Sequence, residues 1–220
     1  MCGFAGYIHN YGTFDKEEVI HKMADRIKHR GPDDAHYYID DGIALGFRRL
    51  SIIDLEGGNQ PMVRATGAHD SIVTSPATEG SAPGSFTIGD YAIVFNGEIY
   101  NFQELTAELM RVGHTFATRS DTEVLLHGYE QWGNQLPGKL RGMFTFVIWD
   151  QKTKTMFGAR DIFGIKPFYY YNQDGLFLFG SEIKSFLAHP GFKKELNEEQ
   201  LPLYLSYQYS PGEDLSLIHI

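Results

Sequence analysis

Met1-Cys2-Gly3-Phe4-Ala5-Gly6-Tyr7-Ile8-His9 sets the only cysteine of the chain directly behind the initiator methionine and directly ahead of an apolar, glycine-punctuated run. The run from Gly3 to His9 predicts a strand, which would hold Cys2 at the mouth of a sheet, where a side chain can be aimed. Loss of one residue would make Cys2 the N-terminus, uniting a nucleophilic thiol and a free α-amine on one residue, so no second side chain need act as base. That amine titrates at about 7.7–8.0, close to working pH. The competing reading is a small buried hydrophobe, the common state of a reduced cysteine.

Outward from this strand, Asp15 and Glu18 read as a capping box, with Phe14 and Val19 as a staple. Val19, Ile20, Met23 and Ile27 then repeat at helical spacing to about Lys28. The helix runs into His29-Arg30-Gly31-Pro32-Asp33-Asp34, which turns the chain. Strands are predicted at His36–Ile39 and Ile43–Arg49, joined through Asp40-Asp41-Gly42. Residues 64–90 are rich in Ala, Gly, Ser, Thr and Pro, and Ser75 to Ser85 reads as a flexible surface excursion. Tyr91–Phe95 predicts a strand, Asn101 with Glu104 a helix start, and Ser120-Asp121-Thr122-Glu123 a second capping box. Four strands follow at Met143–Trp149, Thr155–Ala159, Phe168–Tyr171 and Leu176–Phe179. Strands at both ends with helices between them favour stacked layers of sheet and helix.

The 220 residues, 42% of them hydrophobic and 14% aromatic, supply an ample core. A net charge of −9 with dispersed basic residues argues against nucleic acid and anionic membrane as partners. One cysteine forbids an internal disulfide and fits a reducing compartment. With no secretory signal and no apolar stretch of spanning length, the expected location is cytoplasmic.

Polar clusters fall where elements end. Asn96-Gly97-Glu98 follows a predicted strand, where backbone N–H groups and the Asn amide make either an oxyanion hole or ordinary turn chemistry. Arg49 either grips a carboxylate or is a solvated or structurally paired charge. Asp121 binds an ammonium group or complements the helix dipole. Gly133-Asn134-Gln135-Leu136-Pro137-Gly138-Lys139-Leu140 nearly spells a phosphate loop, but Leu140 replaces the Ser/Thr that binds magnesium and Pro137 removes an N–H. The nine histidines form neither a zinc nor an iron–sulfur pattern. His29 could serve Cys2 as a base, a role that the terminal amine makes unnecessary.

In order, Met1-Cys2-Gly3, His29-Arg30-Gly31-Pro32-Asp33, Arg49-Leu50-Ser51-Ile52, Asn96-Gly97-Glu98-Ile99-Tyr100-Asn101 and Ser120-Asp121-Thr122-Glu123 resemble one family, the glutaminase domain of glutamine-hydrolysing asparagine synthetases. Leu140-Arg141-Gly142-Met143-Phe144, Arg160-Asp161, Gly164-Ile165-Lys166-Pro167 and Ser181-Glu182-Ile183-Lys184 extend the resemblance over nearly the whole chain. These are class II glutamine amidotransferases of the N-terminal nucleophile hydrolase group, and the resemblance implies an α+β fold, a four-layer αββα sandwich. It implies that Cys2 attacks the amide of L-glutamine to give a γ-glutamyl thioester and ammonia, with its α-amine moving the protons. Asn96 and the Gly97 N–H match the oxyanion hole, Arg49 the holder of the substrate α-carboxylate, and Glu98 with Asp121 the receivers of the α-ammonium. The backbone of Leu50, Ser51, Ile52 and Ile53 lines the same pocket. A zwitterionic amino acid would thus be selected over a plain amide.

The resemblance implies no cofactor or metal for this domain; ATP and magnesium belong to a synthetase domain whose Ser-Gly-Gly-x-Asp-Ser loop the chain lacks. Residues 2–190 read as the glutaminase domain with an insertion at about 64–90, 191–214 as the start of a linker, and 215–220 as a non-native tail. A homodimer of the full-length protein is compatible with this reading. Two alternatives are a glutaminase domain serving another acceptor and a catalytically silent interaction module on the same fold.

Overall fold

The structure, a computed structural model, describes residues 2–9, 14–50, 59–65, 71–74 and 90–209. Two five-stranded antiparallel sheets lie face to face, each covered by helix. The first sheet has the order β2-β3-β1-β10-β9, from β1 (Gly3–His9), β2 (Asp34–Ile39), β3 (Ile43–Arg49), β9 (Tyr169–Gln173) and β10 (Leu176–Gly180). The second has the order β5-β4-β6-β7-β8, from β4 (Met62–Ala65), β5 (Ser71–Thr74), β6 (Tyr91–Ile99), β7 (Gly142–Asp150) and β8 (Thr155–Arg160). Helix α1 (Lys16–Asp25) covers the first sheet; α2 (Phe102–Arg111) and α3 (Asp121–Trp132) cover the second; α4 (Leu201–Tyr207) comes last. This is the αββα sandwich.

Strand alternation makes the three cores. On the inner faces, Phe4, Leu45, Phe47, Val94, Val147, Trp149 and Phe179 interdigitate between the sheets. On the outer faces, Ala5, Tyr7 and Ala44 pack under Ile20, Met23 and Ile27, and Ile93, Phe95, Phe146 and Ile148 under Leu105, Leu109 and Leu125. Each fully buried side chain of this size is worth about 1.5–3 kcal/mol of transfer free energy.

Several local expectations are revised. Helix α1 ends at Asp25, not Lys28, and Lys28–Arg30 form a separate 3-10 turn. Asp15 caps it by accepting from the N–H groups of Glu17 and Glu18, but Glu18 turns outward to Lys22, so only half the capping box forms. Asn101 does not cap α2 with its side chain; it accepts from the Arg141 N–H and donates to the Lys139 carbonyl, tying α2 to the start of β7. Ser120 does cap α3, but Glu123 turns away to accept from the N–H groups of Ala117 and Thr118. Within the supposed excursion of residues 64–90, β5 pairs with β4, which itself begins at Met62 and joins β6. Ser75 to Ser85 lie outside the described residues.

Two hydrogen bonds orient the sandwich. Trp149 Nε1 donates to Asp40 Oδ2 at 2.7 Å, and Gln151 donates to the Tyr38 hydroxyl. They join the β2–β3 turn, beside the end of β1, to the β6 start opposite Trp149. The beginning of β1 and the end of β6 therefore lie at the other end together, which brings Cys2 and Asn96-Gly97 to one mouth.

Candidate active site

Cys2 is half-buried against the inter-sheet core. The Leu50 N–H donates to its Sγ at 3.4 Å, and the thiol lies 3.7 Å from the Leu50 carbonyl, so the backbone just past β3 cradles the sulfur. The Cys2 carbonyl accepts from Arg30 Nε at 3.1 Å, and Arg30 Nη1 donates to Glu182 Oε1 at 3.1 Å. A Cβ on Gly3 would sit 2.9 Å from Arg30 Cδ, so the glycine gives this guanidinium its passage. At the next step along β1, Phe4 and Ser181 exchange hydrogen bonds: Phe4 N–H to Ser181 Oγ, and Ser181 N–H to the Phe4 carbonyl. His29 faces Glu182 at 2.8 Å, so its polar contact is with the clamp, not with the thiol.

Asn96 and Gly97 lie inside β6, paired with Thr145 and Phe144, and not in a turn after it. Asn96 shares the inner face with Ala92 and Val94; it is 2% exposed, and its Nδ2 has no hydrogen-bond partner among the described residues. A buried amide donor left unpaired costs about 1–3 kcal/mol, so a ligand that accepts from it gains that much in return. A Cβ at Gly97 would fall 2.2 Å from the Met143 carbonyl oxygen, and only glycine keeps this strand in register against β7.

Arg49 ends β3 on the same inner face as Leu45 and Phe47, buried at 6% exposure, and its Nη1 donates to Asn59 Oδ1 at 2.5 Å. Asp121 opens α3 and accepts the Ile99 N–H at 3.1 Å. Burial pushes its carboxyl up, the N–H groups of Ile99 and Thr122 pull it down, and the Glu98 charge raises it further; the balance lies above the usual carboxylate value. Glu98 is exposed beside it. The fold thus gathers Cys2, Arg49, Leu50, Asn96 and Gly97 at one end of the sandwich, with Glu98 and Asp121 at the adjoining end of β6. Ser51, Ile52 and Ile53 lie outside the described residues.

A thiol at the same end of the sandwich as a buried amide donor with no partner among the described residues suits attack on a carbonyl. The glutamine amidotransferase domain family matches residues 1–75 and 68–220. The chain belongs to that family. This glutamine amidotransferase domain is 42% identical to glutamine-hydrolyzing asparagine synthetase 1 of Bacillus subtilis, over 100% of the chain and 32% of that protein. It is 37% identical to a putative glutamine-hydrolyzing asparagine synthetase 2 of Methanocaldococcus jannaschii, over 96% of the chain and 40% of that protein. The domain spans about a third of the length of the curated relatives it matches. The B. subtilis glutamine phosphoribosylpyrophosphate amidotransferase, complexed with ADP and GMP, superposes with TM-score 0.63 at 19% identity, over 89% of this chain and 45% of that one, and shares the fold. No helix among the described residues is long and apolar enough to cross a membrane.

The fold also collects groups of the amidotransferase domain that sequence reasoning left without roles. Asn59 and Gln60 meet Arg49 and Phe95, but buried amides carry no periodic signal. Arg30, Ser181 and Glu182 stood in recognisable motifs, and only the pairing of β1 with β10 reveals what they hold. His114, His127 and Glu130 place ligand atoms within 4.8 Å of one another, a cluster that no sequence spacing announced. The Arg64 guanidinium already reaches His127 and Glu130 there and supplies the positive charge.

Proposed function

We propose that this domain hydrolyses L-glutamine to glutamate and ammonia, with Cys2, exposed by removal of Met1, as nucleophile. Sγ attacks the side-chain amide carbon while the α-amine takes the thiol proton. The carbonyl oxygen becomes an oxyanion that accepts from Asn96 Nδ2 and the Gly97 N–H. As the C–N bond breaks, the α-amine passes its proton to the leaving nitrogen and ammonia departs, leaving a γ-glutamyl thioester. Water then attacks the thioester, releasing glutamate and restoring the thiol. Arg49 holds the α-carboxylate, Glu98 and Asp121 receive the α-ammonium, and the Leu50 to Ile53 backbone lines the pocket.

The observation that carries this reading is the buried Asn96 Nδ2, without a partner among the described residues, at the mouth where Cys2 sits. The names of the B. subtilis relatives support aspartate as the ammonia acceptor, amidated with ATP and magnesium outside this region. In that reading residues 2–190 form the glutaminase unit and 191–214 lead onward from it. A free thiol nucleophile is compatible with a reducing compartment and supports a cytoplasmic location. Mass spectrometry of expressed protein should show Met1 removed, and Cys2→Ala should abolish both ammonia release from glutamine and thioester trapping. Ammonia release that survives Cys2→Ala would exclude this nucleophile.

A further inference from the structure

Thr145 stands directly opposite Asn96 in the register of β7 with β6. Residues opposed in an antiparallel pair point to the same side of the sheet. Here that side is the inner face, with Asn96 in line with Ala92 and Val94, and Thr145 in line with Val147 and Trp149. Thr145 is fully buried, and its Oγ1 has no hydrogen-bond partner among the described residues. Asn96 Nδ2, across the same rung, is in the same condition. Arg160, the neighbour of Thr145 on β8, gives its guanidinium to the carbonyls of Gly164 and Lys166. The backbone on either side of the rung is pinned: the Phe95 N–H donates to Gln60 Oε1 at 2.6 Å, and the Phe144 N–H to Asp161 Oδ2 at 3.2 Å. Side-chain rotation is the freedom that the pair retains.

We infer that Thr145 is a positioning residue for glutamine hydrolysis: its hydroxyl oxygen accepts one N–H of the Asn96 amide as substrate binds, and so turns the other N–H to the oxyanion. The inference rests on the proposed place of Asn96 in the oxyanion hole. The two unpaired groups are complementary. An asparagine amide nitrogen carries two N–H donors and a threonine hydroxyl offers acceptor lone pairs, so one contact satisfies both groups and still leaves a donor for the ligand. Opposed Cβ atoms stand about 4.5–5.5 Å apart, within reach of a bond between two short polar side chains. The last torsion of asparagine is broad, so the turn costs little. The side chains are unbonded in the structure, and the rotation that joins them is the one that aims the remaining N–H. A donor fixed in this way is ready where charge develops, whereas a free rotor must first be ordered.

The test compares Thr145→Val with Thr145→Ser. Valine keeps the shape of threonine and removes the hydroxyl; serine keeps the hydroxyl. Thr145→Val should lower kcat for glutamine hydrolysis about tenfold with KM within about twofold, because the donor it misaims acts in the transition state. Thr145→Ser should recover kcat to within about threefold of the parent. The Tm of Thr145→Val should not fall below the parent's, since the change removes a buried hydroxyl that has no partner among the described residues. In an Asn96→Ala background, Thr145→Val should alter kcat by less than about twofold, because the group it positions is gone. A purely structural role predicts a lowered Tm and the same loss of kcat in both backgrounds. That pattern, an unchanged kcat in Thr145→Val, or a Thr145→Ser as slow as Thr145→Val would overturn the inference. Asn96→Ala alone separates the two levels. If it leaves kcat unchanged, the oxyanion-hole assignment itself fails; if it lowers kcat while Thr145→Val does not, only the role of Thr145 fails.

Discussion

Glu182 Oε1 lies 3.1 Å from Arg30 Nη1, and that ion pair steadies the guanidinium whose Nε holds the Cys2 carbonyl. His29 and Lys184 converge on the same carboxylate, at 2.8 Å and 3.1 Å. Burial disfavours the charged form of Glu182, but hydrogen bonds from His29, Arg30 and Lys184 outweigh it and hold the carboxyl below its ordinary value. Glu182→Gln should lower kcat for glutamine hydrolysis about tenfold with KM within about twofold, because it loosens the aim of the thiol and leaves the substrate anchors intact. Its folded-state pKa is depressed, so the stabilisation is complete above the ordinary carboxylate range and fades as pH falls through it. Thermal unfolding should therefore separate the variant from the parent at pH 7, the gap closing as acid carries the parent's Glu182 through its lowered pKa.

Asn96 combines a cost in stability with a use in chemistry. Asn96→Ala removes a buried donor that has no partner among the described residues, so the unfolding free energy should stay within about 1 kcal/mol of the parent. The same change should lower kcat by about 100-fold to 1,000-fold, the usual effect of deleting one oxyanion donor. A variant that loses stability and activity in proportion would argue for a packing role instead.

Asp121 carries a raised pKa, chiefly from burial and then from the Glu98 charge beside it. In its proposed role Asp121 binds the ammonium in its ionised form, which is lost as pH falls through that raised value. KM for glutamine should climb on acidification before ordinary surface carboxylates titrate, while kcat falls separately as the Cys2 α-amine is protonated. Asp121→Asn should start at the high KM and show a flattened pH profile; steady-state kinetics from about pH 5 to 8 would decide.

Asp161, 5% exposed, organises the turn after β8. Burial works against its charge, but the N–H groups of Ile165, Lys166, Phe144 and Phe163 outweigh that and hold the carboxyl below its usual value. Asp161→Ala strands these amides and should cost about 3 kcal/mol or more. For a chain of this size that is a fall in Tm of about 6–12 °C. The sign with pH is that of a depressed acid: the deficit is full at neutral pH and shrinks as acid protonates the parent's Asp161.

The strands were legible because alternation and turn residues agree. Ile43–Arg49 is read to the residue, and the Asp40-Asp41-Gly42 turn forms with Asp40 accepting from the Gly42 and Ile43 N–H groups. Asn96-Gly97 misled as a strand end, since glycine usually breaks a strand; here it lets β7 approach too closely for any side chain. The capping signatures were half right for one physical reason. Local rules assign Asn101 and Glu123 to their own helices, whereas both find partners outside them: one across the chain in the Lys139–Arg141 strand entry, the other in the loop that precedes α3. Cys2, Arg49 and Asp121 could be named from motifs, but the contacts of Gln60 with Thr122 and of Glu182 with Arg30 join residues far apart in the chain, and a single sequence carries no trace of those.

The place of β1 between β3 and β10 has a consequence for synthesis. The leading strand finds one neighbour after some fifty residues, but the other is made only when translation has passed Gly180. Until then one rim of hydrogen-bonding groups beside the thiol stays open, an invitation to pair with other nascent chains. The ribosome thus delivers the thiol well before its second wall, and newly made protein should hydrolyse nothing until that later hairpin zips home.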